Sequence, residues 1–514
     1  MSENPLKLTK GALLFLDKGI DNRSLEACLS PGYHLRMIET ACSPALLLDT
    51  FDGALRLSGR LLTQAQDSLW LFAANSGAIQ SQPCPADWRF AADLPDGPVQ
   101  RVLAEISTLR AFLPVLSTSM RSVRIEVCDD EEKTHVRAQW FAYQKTESQT
   151  RTLAVLAPLR GYTRANRLLK QALREQGAGR PTSVSDVYAE LGVSGPIYQA
   201  KPAIDLDLDA PACEAVRLIM QTFLHVARRN EAGIVADADT EFLHDYRVSL
   251  RKVRSMLSLC KKICHADDAA RLKQTLAATM KPTNRLRDLD VYLLAKADYL
   301  ALVPEHLRTG LDIMFTSFTA ERQQQAARVS AMLQSESYAQ TLDELARQLD
   351  SPHLLEAGPQ SDEPAKQFAR RLIWKRYKKV CAVAGKITDD TPDDDVHDLR
   401  IQCKKLRYAM EFFMPLFPEK LIKQRIKDLK QLQDNLGRFN DYVVQQHALH
   451  EFLNSYSRRH RNAFTLAGSI GALIAVLYHR QLDERRQVVA NFQRFGSAGI
   501  RAAFAELFTD ENTP

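Results

Sequence analysis

The C-terminal three-fifths of this 514-residue sequence carries one pattern twice. HDYRVSLRKVR, from His244 to Arg254, matches HDLRIQCKKLR, from His397 to Arg407. His, Asp and Arg recur at the first, second and fourth places, and basic residues at the eighth, ninth and eleventh. The offset is 397 − 244 = 153 residues. A second pair, RLRDLDV (Arg285 to Val291) and RFNDYVV (Arg438 to Val444), keeps that offset and sets Asp288 opposite Asp441. Two separate segments in one register imply a duplicated unit, each copy burying its apolar face against neighbouring elements.

From Pro211 to about Phe508 the apolar spacing is helical, with no strand pattern. At about 100° per residue, His244, Arg247, Arg251 and Arg254 fall within an arc of about 80°. His397, Arg400, Lys404 and Arg407 do the same. Leu250, Val253 and Leu257 occupy another arc, so each helix has a core face and a positive stripe. Lys252 and Lys405 stand beside the stripes. Asp245 and Asp398 are read as pointing elsewhere, leaving acidic neighbours only at the ends: Glu241, Asp394 and Glu411. Like charges stacked turn on turn cost stability, and a bound polyanion would compensate them. Lys261 and Lys262 extend the first stripe, and the run ARRLIWKRYKK supplies Lys375 and Lys379. Lys281, Arg285, Arg287, Lys430 and Arg438 surround the paired aspartates. Asp288 and Asp441 read as carboxylates that orient arginines rather than as catalysts.

Arginine presents a planar fork of donors to phosphate oxygens and lysine a point charge. A row of both at helical pitch suits a ligand with regularly spaced phosphates, bound with steep salt dependence. A histidine in such a field donates from both nitrogens once charged. The same histidines as metal ligands would need converging carboxylates or thiols, and their own helices supply mainly cations. No metal and no cofactor is expected. Tyr246 and Tyr408 are the aromatics nearest the stripes, too few for a base-stacking surface, and Tyr246 falls on the core side.

Composition bounds the rest. Hydrophobic residues make up 45% and charged residues 25%, the balance of a soluble globular protein, and a net charge of +6 leaves the partner undecided. Nine scattered cysteines without a CxxC pair argue for a reducing compartment. Cys260, Cys264 and His265 read as buried thiols and a helix-end histidine rather than as a zinc site. Phe464 to Tyr478 is apolar, but at about 15 residues it falls short of the roughly 20 a spanning helix needs. It is flanked by Arg458, Arg459 and Arg461 on one side and Arg480 on the other, and is read as a buried helix with small residues for close packing. The N-terminus has no signal-peptide shape. A cytoplasmic protein is expected.

The first part of the chain reads as mixed, with strands prominent. Alternation over 119–127 and 135–143 around a charged turn predicts a hairpin. Helices are predicted over Pro98 to Phe112 and Arg164 to Gln176. A stretch rich in Gly, Pro and Asp at 177–208 is read as a linker, giving domains at 1–176 and 209–508, the latter in units of about 209–350 and 365–508.

The paired H-x-x-R-(V/I)-x-x-x-(K/R)-x-R segments, with R-D-x-D-V at Arg287 to Val291 and L-G-R-x-N-D at Leu436 to Asp441, resemble the CHAD domain, the conserved histidine α-helical domain, over about residues 209–505. The resemblance implies two four-helix bundles related by a pseudo-twofold axis, with a basic groove that binds inorganic polyphosphate and an association with polyphosphate granules. Asn284 departs from the glycine usual at that place, and Ala277 stands opposite Lys430. The N-terminal part is similar to a CYTH domain, the antiparallel triphosphate tunnel, through Leu46 to Leu62, Asp93 to Val99 and Pro158 to Leu169. The E-x-E-x-K strand that would hold metal and triphosphate is missing, since Glu3 is the only glutamate in the first 20 residues. A degenerate tunnel is therefore expected, with Arg56, Arg60, Arg121, Arg124 and Arg137 mostly facing solvent. The sequence reading is a non-enzymatic polyphosphate-binding module. A metal-dependent triphosphatase or polyphosphatase and a nucleic-acid binder are the alternatives.

Overall fold

The computed structural model describes residues 12–29, 31–74, 77–146, 149–179, 184–193, 195–350, 358–388, 390–456 and 461–509. Glu3, Arg458 and Arg459 lie outside the described residues. The chain divides into two units between Gln199 and Ala200.

In the first unit, eight strands make one antiparallel sheet in the order β1-β8-β7-β6-β2-β3-β4-β5. They are β1 (Ala12–Leu16), β2 (Tyr33–Asp49), β3 (Arg60–Ala65), β4 (Ser68–Ala73), β5 (Ala78–Pro83), β6 (Leu113–Asp129), β7 (Thr134–Thr146) and β8 (Gln149–Pro158). The expected hairpin is β6–β7, and its turn is held by Asp129, whose side chain accepts from the backbone N–H of Glu131 and Lys133 at 3.1 and 3.0 Å. Helices α1 (Asn22–Ala27), α2 (Ala54–Leu57), α3 (Pro98–Ile106) and α4 (Thr163–Glu175) pack on one face, where Leu25, Leu55, Val99 and Leu169 are buried. The helix expected to reach Phe112 stops at Ile106, because Ser107 is already extended.

The sheet curls until its opposite walls meet. Thr63 on β3 and Tyr143 on β7, three strands apart, are hydrogen-bonded at 2.9 Å, and Phe72 on β4 lies edge-on to Phe141 on β7 at 4.9 Å. This is consistent with a CYTH-like tunnel. Its inner face is filled with apolar side chains, among them Leu47, Leu61, Phe72, Phe141 and Val155. Helix α5 (Val184–Glu190) closes it with Val187, Tyr188 and Leu191. The stretch 177–208, expected to be a linker, thus contributes to a core. Its alternation was short and surrounded by turn residues, and the burial of Tyr188 depends on strands distant in sequence.

The second unit is helical. It contains α6 (Ala212–Val235), α7 (Thr240–Leu259), α8 (Ala266–Met280), α9 (Asn284–Leu294), α10 (Lys296–Ala301), α11 (Glu305–Leu333) and α12 (Glu336–Asp350), then α13 (Ala365–Ala384), α14 (Asp393–Phe412), α15 (Glu419–Ser455), α16 (Ala463–Phe495) and α17 (Ala498–Phe508). The duplication is visible in the boundaries. Helices α6 and α13, α7 and α14, and α8 and α15 each begin 153 residues apart, and α7 and α14 also end 153 apart. The N–H of Ala212 donates to Glu363 O at 2.8 Å, and that of Ala365 donates to Ala210 O at 2.9 Å. Both donors and both acceptors are 153 apart, so a pseudo-twofold axis passes between them.

The repeats share a core. Leu289, Tyr292, Leu311, Phe315 and Phe318 of the first interlock with Leu449, Leu466, Ile470 and Leu473 of the second. Each such side chain contributes about 1.5–3 kcal/mol when fully buried. Gly310 on α11 lets α16 approach so closely that a Cβ there would stand 2.2 Å from Ser469 Oγ and 2.6 Å from Thr465 O. Close packing on α16 is therefore real at Ser469, but the helix is not buried all round: Phe464 is 92% exposed and Tyr478 49%. Among the described residues, α16 is the one helix whose length and hydropathy would suffice to cross a membrane.

Two local events position the site. Asp239 caps α7 by accepting from the N–H groups of Glu241 and Phe242 at 2.9 and 3.2 Å, which fixes where His244 begins the stripe. Pro282 interrupts the first repeat: it lacks an N–H and clashes with the preceding turn, so a 3-10 turn at Lys281–Thr283 separates α8 from α9. Asn435 holds the corresponding place in the second repeat, and α15 runs through it unbroken.

Candidate functional site

Helices α7 and α14 pack on one another, and the two stripes converge on a cavity of about 320 Å³. The first repeat sends His244 and Lys252 into it, and the second sends Arg400, Lys404 and Arg407. Tyr408, Gln433, Asp434 and Gly437 complete much of the wall, together with Lys201. Lys201 was missed because it sits in the supposed linker, without periodic signal.

The site is crowded with like charge. Burial pushes the Lys252 and Lys404 amines down to about 8; Arg251 and Arg400 reinforce the shift at Lys404. Burial, with Arg251 alongside, lowers Arg247 to about 10. Burial also lowers Arg251, and Arg287 and Arg400 add to it. All four remain cationic at neutral pH. Arg247 Nε, Arg251 Nε and Arg287 Nη1 are buried and have no acceptor among the described residues. A buried donor left unmatched costs about 1–3 kcal/mol, more when charged. Anionic oxygens are the missing complement.

The two halves are not equivalent. Arg247 is held by its own repeat: its Nη1 donates to Thr283 Oγ1 at 2.5 Å and to Asn284 Oδ1 at 2.8 Å. Those acceptors exist because Pro282 breaks the helix there. At the matching place α15 has Gly437, where even a Cβ would meet nothing within 4 Å. Among the described residues Arg400 is paired with Asp441, at 4.0 Å, and it lines the cavity. His397 Nδ1 is engaged by Asn440 Oδ1 at 2.7 Å, and Arg287 occupies the place of Asn440 in the first repeat.

Other sequence candidates fall elsewhere. Arg285 makes a two-pronged ion pair with Glu321 at 2.7 and 2.5 Å, and Arg438 does the same with Glu484 at 2.6 and 3.0 Å. They are helix-to-helix clamps, duplicated like the motif itself. Arg407 lines the cavity while bonded to Glu411 at 2.6 Å, the acid at the end of its stripe. Asp245 does not point away from its histidine: Glu241, His244 and Asp245 bring ligand atoms within 4.8 Å of one another. Lys375 lines a different cavity, and Lys405 faces Arg376 and Lys261 rather than the shared one. Arg254, Lys281, Lys379 and Lys430 are exposed and do not line the shared cavity. Tyr246 is buried and bonded to Tyr338 at 3.0 Å, as its core-side position predicted.

Two helical repeats about a pseudo-twofold axis, meeting at a cation-lined cavity, define a duplicated helical-bundle domain. It is a CHAD domain: the model of that family matches residues 218–450. The crystal structure of the CHAD domain from the plant Ricinus communis is 27% identical, covering 60% of this chain and 96% of that one, with a TM-score of 0.45. PptA from Streptomyces chartreusis is 15% identical, covering 56% of this chain and 100% of that one, with a TM-score of 0.40. No curated protein matches the chain.

Proposed function

We propose that this protein binds inorganic polyphosphate in the cavity between α7 and α14, as a binding module rather than an enzyme, and that it associates with polyphosphate granules in the cytoplasm. The observation that carries the reading is the convergence of both repeats on one cavity: Lys252 faces Arg400, Lys404 and Arg407, and buried guanidinium nitrogens of Arg247, Arg251 and Arg287 have no acceptor among the described residues. Phosphate oxygens satisfy planar forks and point charges together, and the CHAD family is linked to polyphosphate. Bases have little to stack on, since Tyr246 is buried and Tyr408 is part of the wall.

The first unit supports a non-catalytic reading. A tunnel that processes triphosphate needs a charged, hydrated interior, and here that face is apolar and closed by α5. Three of its arginines are matched by acids: Arg124 pairs with Glu39, Arg137 with Glu126 at 3.1 Å, and Arg56 with Asp49 at 3.7 Å.

The test is titration of the full chain with labelled long-chain polyphosphate, with duplex DNA and RNA as competitors and phosphate release followed with Mg²⁺ and Mn²⁺. Tight binding that nucleic acid displaces poorly, lost in Arg400→Ala/Lys404→Ala and without phosphate release, is the expected result. Equal displacement by DNA or RNA would reduce the cavity to a general polyanion surface. Metal-dependent release of phosphate would establish an enzyme.

A further inference from the structure

We propose a second phosphate-binding site on the helical unit, between the C-terminal end of α7 and the first half of α13, which one long polyphosphate occupies together with the first. The proposal rests on the polyphosphate reading of the first cavity.

The second cavity measures about 300 Å³. Lys261 and Lys262, just past α7, and Arg371, Lys375 and Arg376 of α13 supply its cations. Its floor is Leu259, Cys260, Phe368 and Leu372, all buried and without side-chain oxygen or nitrogen. Among the described residues two carboxylates touch the set from outside: Glu363 pairs with Arg371, and Asp398 partly offsets the charge of Lys405. None of the lining residues is acidic. Arg376 Nε is buried with no acceptor among the described residues. Lys405 of α14 adds a further positive charge; burial, Arg376 and Lys261 together lower its pKa. The rim is built rather than incidental. Gly358 N–H donates to Ile263 O at 2.8 Å and Gln360 N–H to Lys262 O at 3.0 Å. Gly358 lies so close that a Cβ would stand 2.3 Å from Lys262 O. Forked and point cations recur here as in the first cavity, with a buried donor that has no acceptor among the described residues, and this lining has no counterpart to the first cavity's Glu411 and Asp434.

The placement makes the two sites parts of one track. α7 contributes Lys252 to the first cavity and Leu259 to the second, seven residues apart (259 − 252), or about 10 Å along the axis. α14 turns Lys404 into the first and the next residue, Lys405, about 100° round towards the second. That separation is just over a Debye length of about 8 Å at physiological salt, so a short phosphate at one site is partly screened from the other. A chain long enough to bridge them gains from effective concentration, which raises avidity by up to about 10²–10⁴.

The experiment uses the full chain, with tripolyphosphate in calorimetry and long-chain polyphosphate in a labelled binding assay. Two tripolyphosphates per protein are expected, falling to one in Lys261→Ala/Arg376→Gln. Long-chain affinity should fall about tenfold or more in that variant. Because Arg376 is partly buried, Lys261→Ala/Lys375→Ala, which removes only exposed side chains, is measured beside it, and thermal melts confirm the fold of both. One tripolyphosphate per wild-type protein, or unchanged long-chain affinity in both folded variants, would overturn the second site. Arg400→Ala/Lys404→Ala separates the two ideas. If that variant still takes two tripolyphosphates, the reading of the first cavity fails, and the bridging with it.

Discussion

Arg247 and Arg400 occupy one place in the repeat and have different surroundings. Arg247 is tied to Thr283 and Asn284, while Arg400 faces the cavity beside Gly437. Loss of a charge-assisted hydrogen bond is worth about 1.5–3 kcal/mol, so Arg400→Ala should weaken polyphosphate binding by about ten- to a hundredfold. Arg247→Ala should act mainly on stability, lowering the melting temperature with a smaller change in affinity. Gly437→Asn recreates the acceptor of the first repeat in open space, so it should bind less tightly and melt as the wild type does. Equal affinity losses for the two alanine variants, with melting unchanged, would show that the halves are equivalent. The lysines give a pH signature. Lys252 and Lys404 titrate near 8 in the folded protein against an ordinary 10.5. Folding therefore carries a penalty that is complete below pH 8 and relieved as pH rises from about 8 towards 10.5. Bound polyphosphate favours the charged amines. Binding at pH 8–9 should take up protons, and affinity should fall as pH rises through 8. Calorimetry in two buffers of different ionisation enthalpy measures the uptake, and Lys404→Met should reduce it. Buffer-independent heats would exclude these amines from the site.

At the scale of elements, the repeat was legible and its consequences only partly so. The offset of 153 set the starts of α6 and α13, α7 and α14, and α8 and α15, because equal sequence patterns place caps and apolar faces alike. What it could not show was partners far along the chain. Arg285 and Arg438 read as ligands because they are basic and repeated, but Glu321 and Glu484 lie 36 and 46 residues away and claim both. Asn284 stood out only as a departure from glycine, and its role follows from the helix break at Pro282, which the spacing alone leaves silent. α16 shows the same limit. Its apolar run implied burial, but the helix is covered only where it packs on α11 and α15, and Gly310 marks a close approach on the α11 side. Gly310→Ala forces a shift against the Thr465 carbonyl. It should cost about 1–3 kcal/mol, lowering the melting temperature by several degrees. Gly468→Ala, on α16 with open space around it, should be neutral or slightly stabilising, since alanine is the better helix former. If both variants melt alike, the α11–α16 approach is not what Gly310 provides.

Over the whole molecule, two units of different construction deal with charge in opposite ways. In the sheet unit several arginines are matched by nearby acids, among them Arg36, which pairs with Glu126 at 2.5 Å and Glu132 at 3.1 Å. In the helical unit, the pairing is spent on clamps such as Arg285–Glu321, Arg438–Glu484 and the Arg322–Asp290 pair at 2.8 Å, while α7 and α14 keep their facing cations largely unmatched. The proposal that a polyanion binds the helical unit is measurable in salt. Each phosphate neutralised releases counterions, so the logarithm of affinity should fall linearly with the logarithm of salt concentration, with a slope near the number of contacts. Arg400→Ala/Lys404→Ala removes two contacts and should reduce the magnitude of the slope by about 2. Arg124→Ala, in the sheet unit, removes a cation already paired with Glu39 and should leave both slope and affinity unchanged. The paired arginine matters as the control, because a polyanion held by net charge alone would respond to the loss of any cation. Equal slope changes in the two variants would mean that the protein binds through its overall field, and the converging stripes of α7 and α14 would then have no special part in recognition.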